Sequence, residues 1–111
     1  MMVRGTIDRI DITNDGAIIT DYKVGERSDD HAWQVRTYAW AAERATGKST
    51  AGTQVAYLRP TRVEIIDVTP DTRVDATSHT LDRALTAGTF AATPGAVCKS
   101  CAHRTACEFA A

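Results

Sequence analysis

The sequence has no apolar run approaching the roughly 18 residues that a membrane-spanning helix needs. It also has no charged-then-apolar leader, so it reads as a cytoplasmic, non-membrane protein. A basic excess is missing: 13 Lys and Arg stand against 14 Asp and Glu, for a net charge of −1. That balance argues against a partner held by bulk positive charge alone. It leaves room for carboxylates that hold a cation, because such groups count as acid without repelling a polyanion once the ion is bound. Internal repeats and low-complexity linkers are absent, and 111 residues make one domain or part of one. Cysteine is scarce. All three lie between positions 98 and 107, an arrangement that argues for a metal site over a disulfide framework. What is present is a hydrophobic content of 43%, enough for a modest folded core and too much for a disordered chain.

Residues Val3 to Ile12 and Ala17 to Lys23 read as strands, with Asn14-Asp15-Gly16 supplying the positive-φ positions of a tight hairpin. A polar loop from Gly25 to Asp30 leads into a helix from His31 to Thr46. Its apolar stripe is Val35, Tyr38, Ala39 and Ala42, and Gly47 ends it. Thr53 to Leu58 and Arg62 to Val68 are β-rich runs split by Arg59-Pro60-Thr61. A second helix starts at Asp71 or Thr72 and runs to Ala87, stopping at Gly88. The order β-β-α-β-β-α predicts an α/β (α+β) domain with helices on a small mixed sheet. From Ala91 the chain is expected to be an irregular, cysteine-bearing tail.

The first hairpin carries the chemistry. Asp8, Ile10 and Ile12 share one face of the first strand, and Ile19, Asp21 and Lys23 share one face of the second. A turn at Asp15-Gly16 sets Ile12 opposite Ile19, Ile10 opposite Asp21 and Asp8 opposite Lys23. Two carboxylates and a lysine then share the face whose other members are isoleucines, the face to be buried. Burying a lone carboxylate costs several kcal/mol unless it is paired or metal-bound. A divalent cation is one compensating partner, and a partly buried Asp8–Lys23 ion pair with Asp21 at the sheet rim is the other. Asp11 falls on the opposite face beside Arg9, where an exposed ion pair with little energy at stake is expected.

Gly5-Thr6-Ile7-Asp8 followed by Ile19-Thr20-Asp21-Tyr22-Lys23 resembles the G-x-I-D and D-Y-K motifs of the RecB-like branch of the PD-(D/E)xK nucleases. That branch includes the nuclease domains of recombination helicase–nucleases and the CRISPR-associated RecB-like nucleases. The resemblance implies a restriction-endonuclease-like core in which Asp8 and Asp21 bind Mg²⁺ or Mn²⁺ and Lys23 orients or activates the attacking water. Gln34-Val35-Arg36-Thr37-Tyr38 matches the Q-x-x-x-Y element of the same family, which implies substrate or active-site contacts for Gln34 and Tyr38. As an i, i+4 pair they share a helix face, and helix packing is the alternative for Tyr38. Trp33 and Trp40 lie nearly opposite the stripe with Thr37 and Arg44. They either stack on single-stranded bases or, as the preferred reading, pack against a segment absent from this chain.

Cys98-x2-Cys101-x5-Cys107 is similar to the last three ligands of the [4Fe–4S] motif at the C-terminal end of many such domains, whose fourth cysteine lies upstream. No fourth cysteine exists here, and His103 would complete a Cys3His zinc set from local residues. The resemblance covers nearly the whole chain but begins partway through the family domain, so a truncated or split domain is expected. Residues 1–90 would be the nuclease core and 91–111 the cluster-binding tail. The implied function is metal-dependent hydrolysis of DNA phosphodiesters, with exonuclease action in repair or recombination the expected form, and DNA and a helicase subunit or domain as partners. The alternatives are an inactive nuclease-fold module that binds DNA or acts as a scaffold, and a small zinc-binding structural protein.

Overall fold

The computed structural model describes residues 1–111. Strands β1 (Arg9–Thr13) and β2 (Gly16–Lys23) form an antiparallel hairpin with Thr13 opposite Gly16, Ile12 opposite Ala17 and Ile10 opposite Ile19. The turn is therefore one residue earlier than the sequence predicts, and the pairing slides by two. A slide of two leaves every side chain on its expected face. Of the three turn residues only Gly16 has positive φ, at 129°. Its role is close approach as much as turning. A Cβ there would collide with the Ser49 carbonyl oxygen, which also accepts the Ala17 N–H at 2.9 Å.

The first strand is shorter than the expected Val3 to Ile12 because a side chain interrupts the ladder. Beyond Arg9↔Thr20 the Tyr22 N–H donates to Asp8 Oδ2 at 2.9 Å rather than to a backbone carbonyl. Upstream, Gly5 lies against the Tyr38 ring, where a Cβ would come within 2.9 Å of Cε1. The residues before Asp8 thus leave the sheet and meet the helix.

That helix, α1 (Asp29–Thr46), starts two residues before the expected His31. Ser28 caps it, accepting the Asp30 N–H at 3.2 Å. Asp29 and Asp30 sit in the first turn, where acidic groups complement the helix dipole. Gly47, at φ 68°, closes the other end with its N–H on the Glu43 carbonyl. Strands β3 (Thr50–Leu58) and β4 (Val63–Asp67) complete one sheet in the order β1-β2-β3-β4. β2 and β3 are parallel, and the outer pairs are antiparallel. The pairing with β2 extends β3 back to Thr50, although Ala51-Gly52 has little strand propensity of its own. A parallel neighbour demands a long crossover, and α1 supplies it.

Val35, Ala39 and Ala42 of α1 pack with Ala17, Ile19, Val55, Tyr57 and Val68 to form the core. The expected burial of Ile10 and Ile12 does not occur: they are 42% and 60% exposed, because the core is built on β2 and β3 and not on β1. On the opposite face Arg9 and Asp11 pair in the open through two guanidinium nitrogens, as expected.

The outer face of α1 meets residues of this chain. Arg36 Nε donates to the Thr69 carbonyl at 2.8 Å, and Trp40 Nε1 donates to Asp75 Oδ1 at 3.0 Å. Arg44 pairs with Asp75 and lies 4.1 Å from the centre of the Trp40 ring, and Arg73 stands over Trp33. Asp71, gripped by Arg73, is held down to a pKa of about 2. These contacts seat the start of α2 (Arg73–Ala87). The chain divides into two compact units, Met1–His79 and Thr80–Ala111. The second holds two short 3₁₀ turns, Ala96–Ser100 and Arg104–Ala106. No helix is long and apolar enough to cross a membrane.

Gly16→Ala should lower the unfolding free energy by about 2–3 kcal/mol, combining an unfavourable φ with the Ser49 clash. Gly25, at φ 102° with nothing within 4 Å of an added Cβ, isolates the backbone contribution. Urea denaturation of Gly16→Ala and Gly25→Ala should therefore separate the two by about 1 kcal/mol. Equal losses would show that the Ser49 contact relaxes freely.

Candidate active site

In a parallel pair joined by a helix, the carboxyl ends of the strands and the amino end of the helix meet at one edge, and ligands bind there. Here that edge gathers Asp21 and Lys23 of β2, Tyr57 of β3, and His31 and Gln34 of α1. Asp21 extends the core-facing row of Ala17 and Ile19, and its register partner is Val55. It is only 2% exposed. Its Oδ2 lies 2.8 Å from Lys23 Nζ yet accepts no well-aligned hydrogen bond. The ion pair therefore offsets the charge of the carboxylate without using the directional capacity of that oxygen.

Asp8 lies one step beyond the last ladder pair, so continuing the register sets it across from Asp21 and not from Lys23. Its partner is the Tyr22 N–H and not the lysine expected by the ion-pair alternative; Lys23 pairs with Asp21. Asp8 is exposed where Asp21 is buried. An under-used buried carboxylate oxygen beside a solvent-facing carboxylate suits a hard cation, which takes oxygen ligands and fills its remaining positions with water or phosphate. No group of three His, Cys, Asp or Glu side chains is gathered to hold a metal anywhere in the chain.

Gln34 Nε2 donates to the Tyr38 hydroxyl at 2.8 Å, so the two residues act as a unit, and Tyr38 also packs against Gly5. This contact joins the glycine of the first motif to the tyrosine of the third. Sequence reasoning missed His31 and Tyr57, whose side chains meet at 2.9 Å between Nδ1 and the hydroxyl. The available signal was His31 at i−3 from Gln34, on the same helical face. It also missed Glu64, which draws in Arg27, Arg59 and Arg62. Arg59 further stands 5.2 Å from the centre of the Tyr57 ring.

In the second unit the three cysteines are free, and neither they nor His103 converge into a metal-ligand set. Each cysteine carbonyl accepts an N–H three residues on, from Cys101, Arg104 and Ala110 in turn. The Cys98 thiol is lowered from its ordinary pKa by N–H donation from Ala111 and then Gly95, the latter at 3.4 Å.

A model of the PD-(D/E)XK nuclease superfamily matches residues 1–108. The chain belongs to that superfamily. The four-stranded mixed sheet and two helices agree with its restriction-endonuclease-like fold, and a nuclease is what membership implies. PD-(D/E)XK nucleases generally use Mg²⁺ or Mn²⁺. No curated protein and no solved structure matches the chain.

For a PD-(D/E)XK protein the Asp21–Lys23 pair has a stability signature. Lys23→Met should cost about 2–3 kcal/mol, because it leaves a buried carboxylate uncompensated. Asp21→Asn in the same background should return most of that loss. A double-mutant cycle in urea measures the coupling, and a neutral Lys23→Met would mean that Asp21 does not depend on the ammonium.

Proposed function

We propose that the chain carries the hydrolytic site of a RecB-like, divalent-metal-dependent deoxyribonuclease, acting as an exonuclease in DNA repair, recombination or related processing alongside a helicase. The observation that carries this reading is the buried Asp21 carboxylate, its Oδ2 under-used and Lys23 beside it, at the carboxyl ends of the parallel strands. Asp8 and Asp21 would hold Mg²⁺ or Mn²⁺, which supplies Lewis-acid polarisation of the phosphodiester and a more acidic water. Lys23 would supply an ammonium to stabilise charge developing on phosphorus. Gln34 and Tyr38, locked to each other, support the substrate side of the site from α1.

Cleavage of labelled single- and double-stranded DNA by the 111-residue chain should require Mg²⁺ or Mn²⁺ and stop with chelator. Asp21→Ala and Lys23→Ala should each slow it by two orders of magnitude or more, since each removes several kcal/mol of barrier lowering. Full activity in Lys23→Ala would point to a contaminating nuclease. DNA binding without cleavage would favour the alternative of an inactive binding or scaffold module.

For the tail we propose a thiolate-held [4Fe–4S] cluster, with zinc as the alternative through His103. The spacing of Cys98, Cys101 and Cys107 supports this, as do the N–H donors that favour the Cys98 thiolate. The ligand set must close from a more open arrangement, so binding should raise the unfolding temperature. Elemental analysis after anaerobic purification, with Cys101→Ala for comparison, decides it. With only three cysteines this chain should hold the cluster poorly, so neither iron nor zinc in it or in a longer form supplying an upstream cysteine would end the proposal.

A further inference from the structure

His31 occupies an unusual position among the half-buried polar groups of α1. It is the third residue of the helix, one turn before Gln34, and its Nδ1 meets the hydroxyl of Tyr57 at 2.9 Å. Tyr57 is 3% exposed and stands in register beside Lys23, on the same face of adjacent parallel strands. Neighbouring strands lie about 4.8 Å apart, so the His31–Tyr57 pair borders the lysine. The rings are tilted at 46° with centroids 5.7 Å apart, an arrangement held by the polar contact and not by stacking.

The hydrogen bond also sets the tautomer. The Tyr57 hydroxyl has one polar partner, His31 Nδ1. A buried hydroxyl without another partner favours an acceptor for its proton, which favours Tyr57 as donor and Nδ1 as acceptor. In the neutral ring the proton then resides on Nε2, which makes no hydrogen bond within the protein. The imidazole is thus anchored at Nδ1 and leaves Nε2 without a partner in the protein.

From this we infer that His31, oriented by Tyr57, is a substrate-binding residue whose Nε2–H donates to a non-bridging oxygen of the nucleic-acid backbone. The inference rests on the nuclease reading above and adds a residue that none of the sequence motifs contains. A contact to a backbone phosphate made equally in the ground and transition states changes KM and not kcat. A donor to an anionic oxygen lost from such a contact weakens binding by about tenfold.

The test uses amide side chains that imitate one nitrogen at a time. His31→Asn puts its amide at the Nδ1 position, facing Tyr57, and removes the distal donor. His31→Gln reaches toward the Nε2 position. At pH 8 with Mn²⁺ and a labelled single-stranded oligonucleotide, His31→Asn should raise KM about tenfold, with kcat within about twofold and an unchanged melting temperature. His31→Gln should recover much of that loss. Tyr57→Phe should raise KM as His31→Asn does, because the ring loses its anchor. KM unchanged in His31→Asn while the unsubstituted chain cleaves would overturn the inference alone. Equal impairment in both amide variants with equal loss of melting temperature would reduce His31 to a structural role and overturn it too. An unsubstituted chain that neither cleaves nor binds DNA by fluorescence anisotropy would overturn the nuclease reading, and this inference with it.

Discussion

The parallel pairing of β2 and β3 is the constraint on which the remaining architecture depends. Strands that run the same way cannot be joined by a tight turn, so the chain must cross the sheet, and α1 is that crossing. The helix brings Val35, Ala39 and Ala42 onto Ile19, Val55 and Tyr57, which makes the core. The same geometry brings the end of β2, the end of β3 and the start of α1 to one edge. The gathered edge and the hydrophobic core are therefore two consequences of one pairing.

Asp21 stands at the boundary between them. It continues the row of Ala17 and Ile19, so the alternation that buries those residues buries a carboxylate as well. Lys23, two residues on and on the same face, lies within 2.8 Å and lowers the cost. Oδ2 of Asp21 keeps hydrogen-bonding capacity that the ion pair does not use. Asp8 contributes from the point where β1 leaves the sheet, and its hold on the Tyr22 N–H fixes the neighbouring backbone. Two side-chain pairs, Gln34 with Tyr38 and His31 with Tyr57, join α1 residues to their neighbours, and on β4 three arginines gather on Glu64.

Membership of the PD-(D/E)XK superfamily accounts for the sheet, the helices and the general chemistry. It does not by itself account for the lopsided cover of the sheet. β1 keeps Ile10 and Ile12 exposed on the face where β2 and β3 are buried. The outer side of α1, by contrast, is closed by residues 69–75, through guanidinium–indole contacts and a shared carboxylate at Asp75.

Local chemistry determined much of this from the sequence. Strand alternation set Asp21 and Lys23 on one face, and helical periodicity set the stripe of Val35, Ala39 and Ala42. Gly47 stopped α1 because a left-handed residue was needed there. The G-x-I-D, D-Y-K and Q-x-x-x-Y elements marked the family, since each places its side chains by spacing alone. Contacts between distant segments were decided only by the tertiary structure. The hairpin turned one residue early because Gly16 had to meet Ser49, 33 residues away in the chain. Asp8 bonded to the Tyr22 N–H because the shifted register put the two within reach, which left Lys23 to Asp21, two residues away on its own strand. His31 found Tyr57 because a parallel strand returned under the start of the helix. Periodicity reports which face a side chain takes, but its partner depends on which strand lies beside it, and that is fixed only when the chain has folded back on itself.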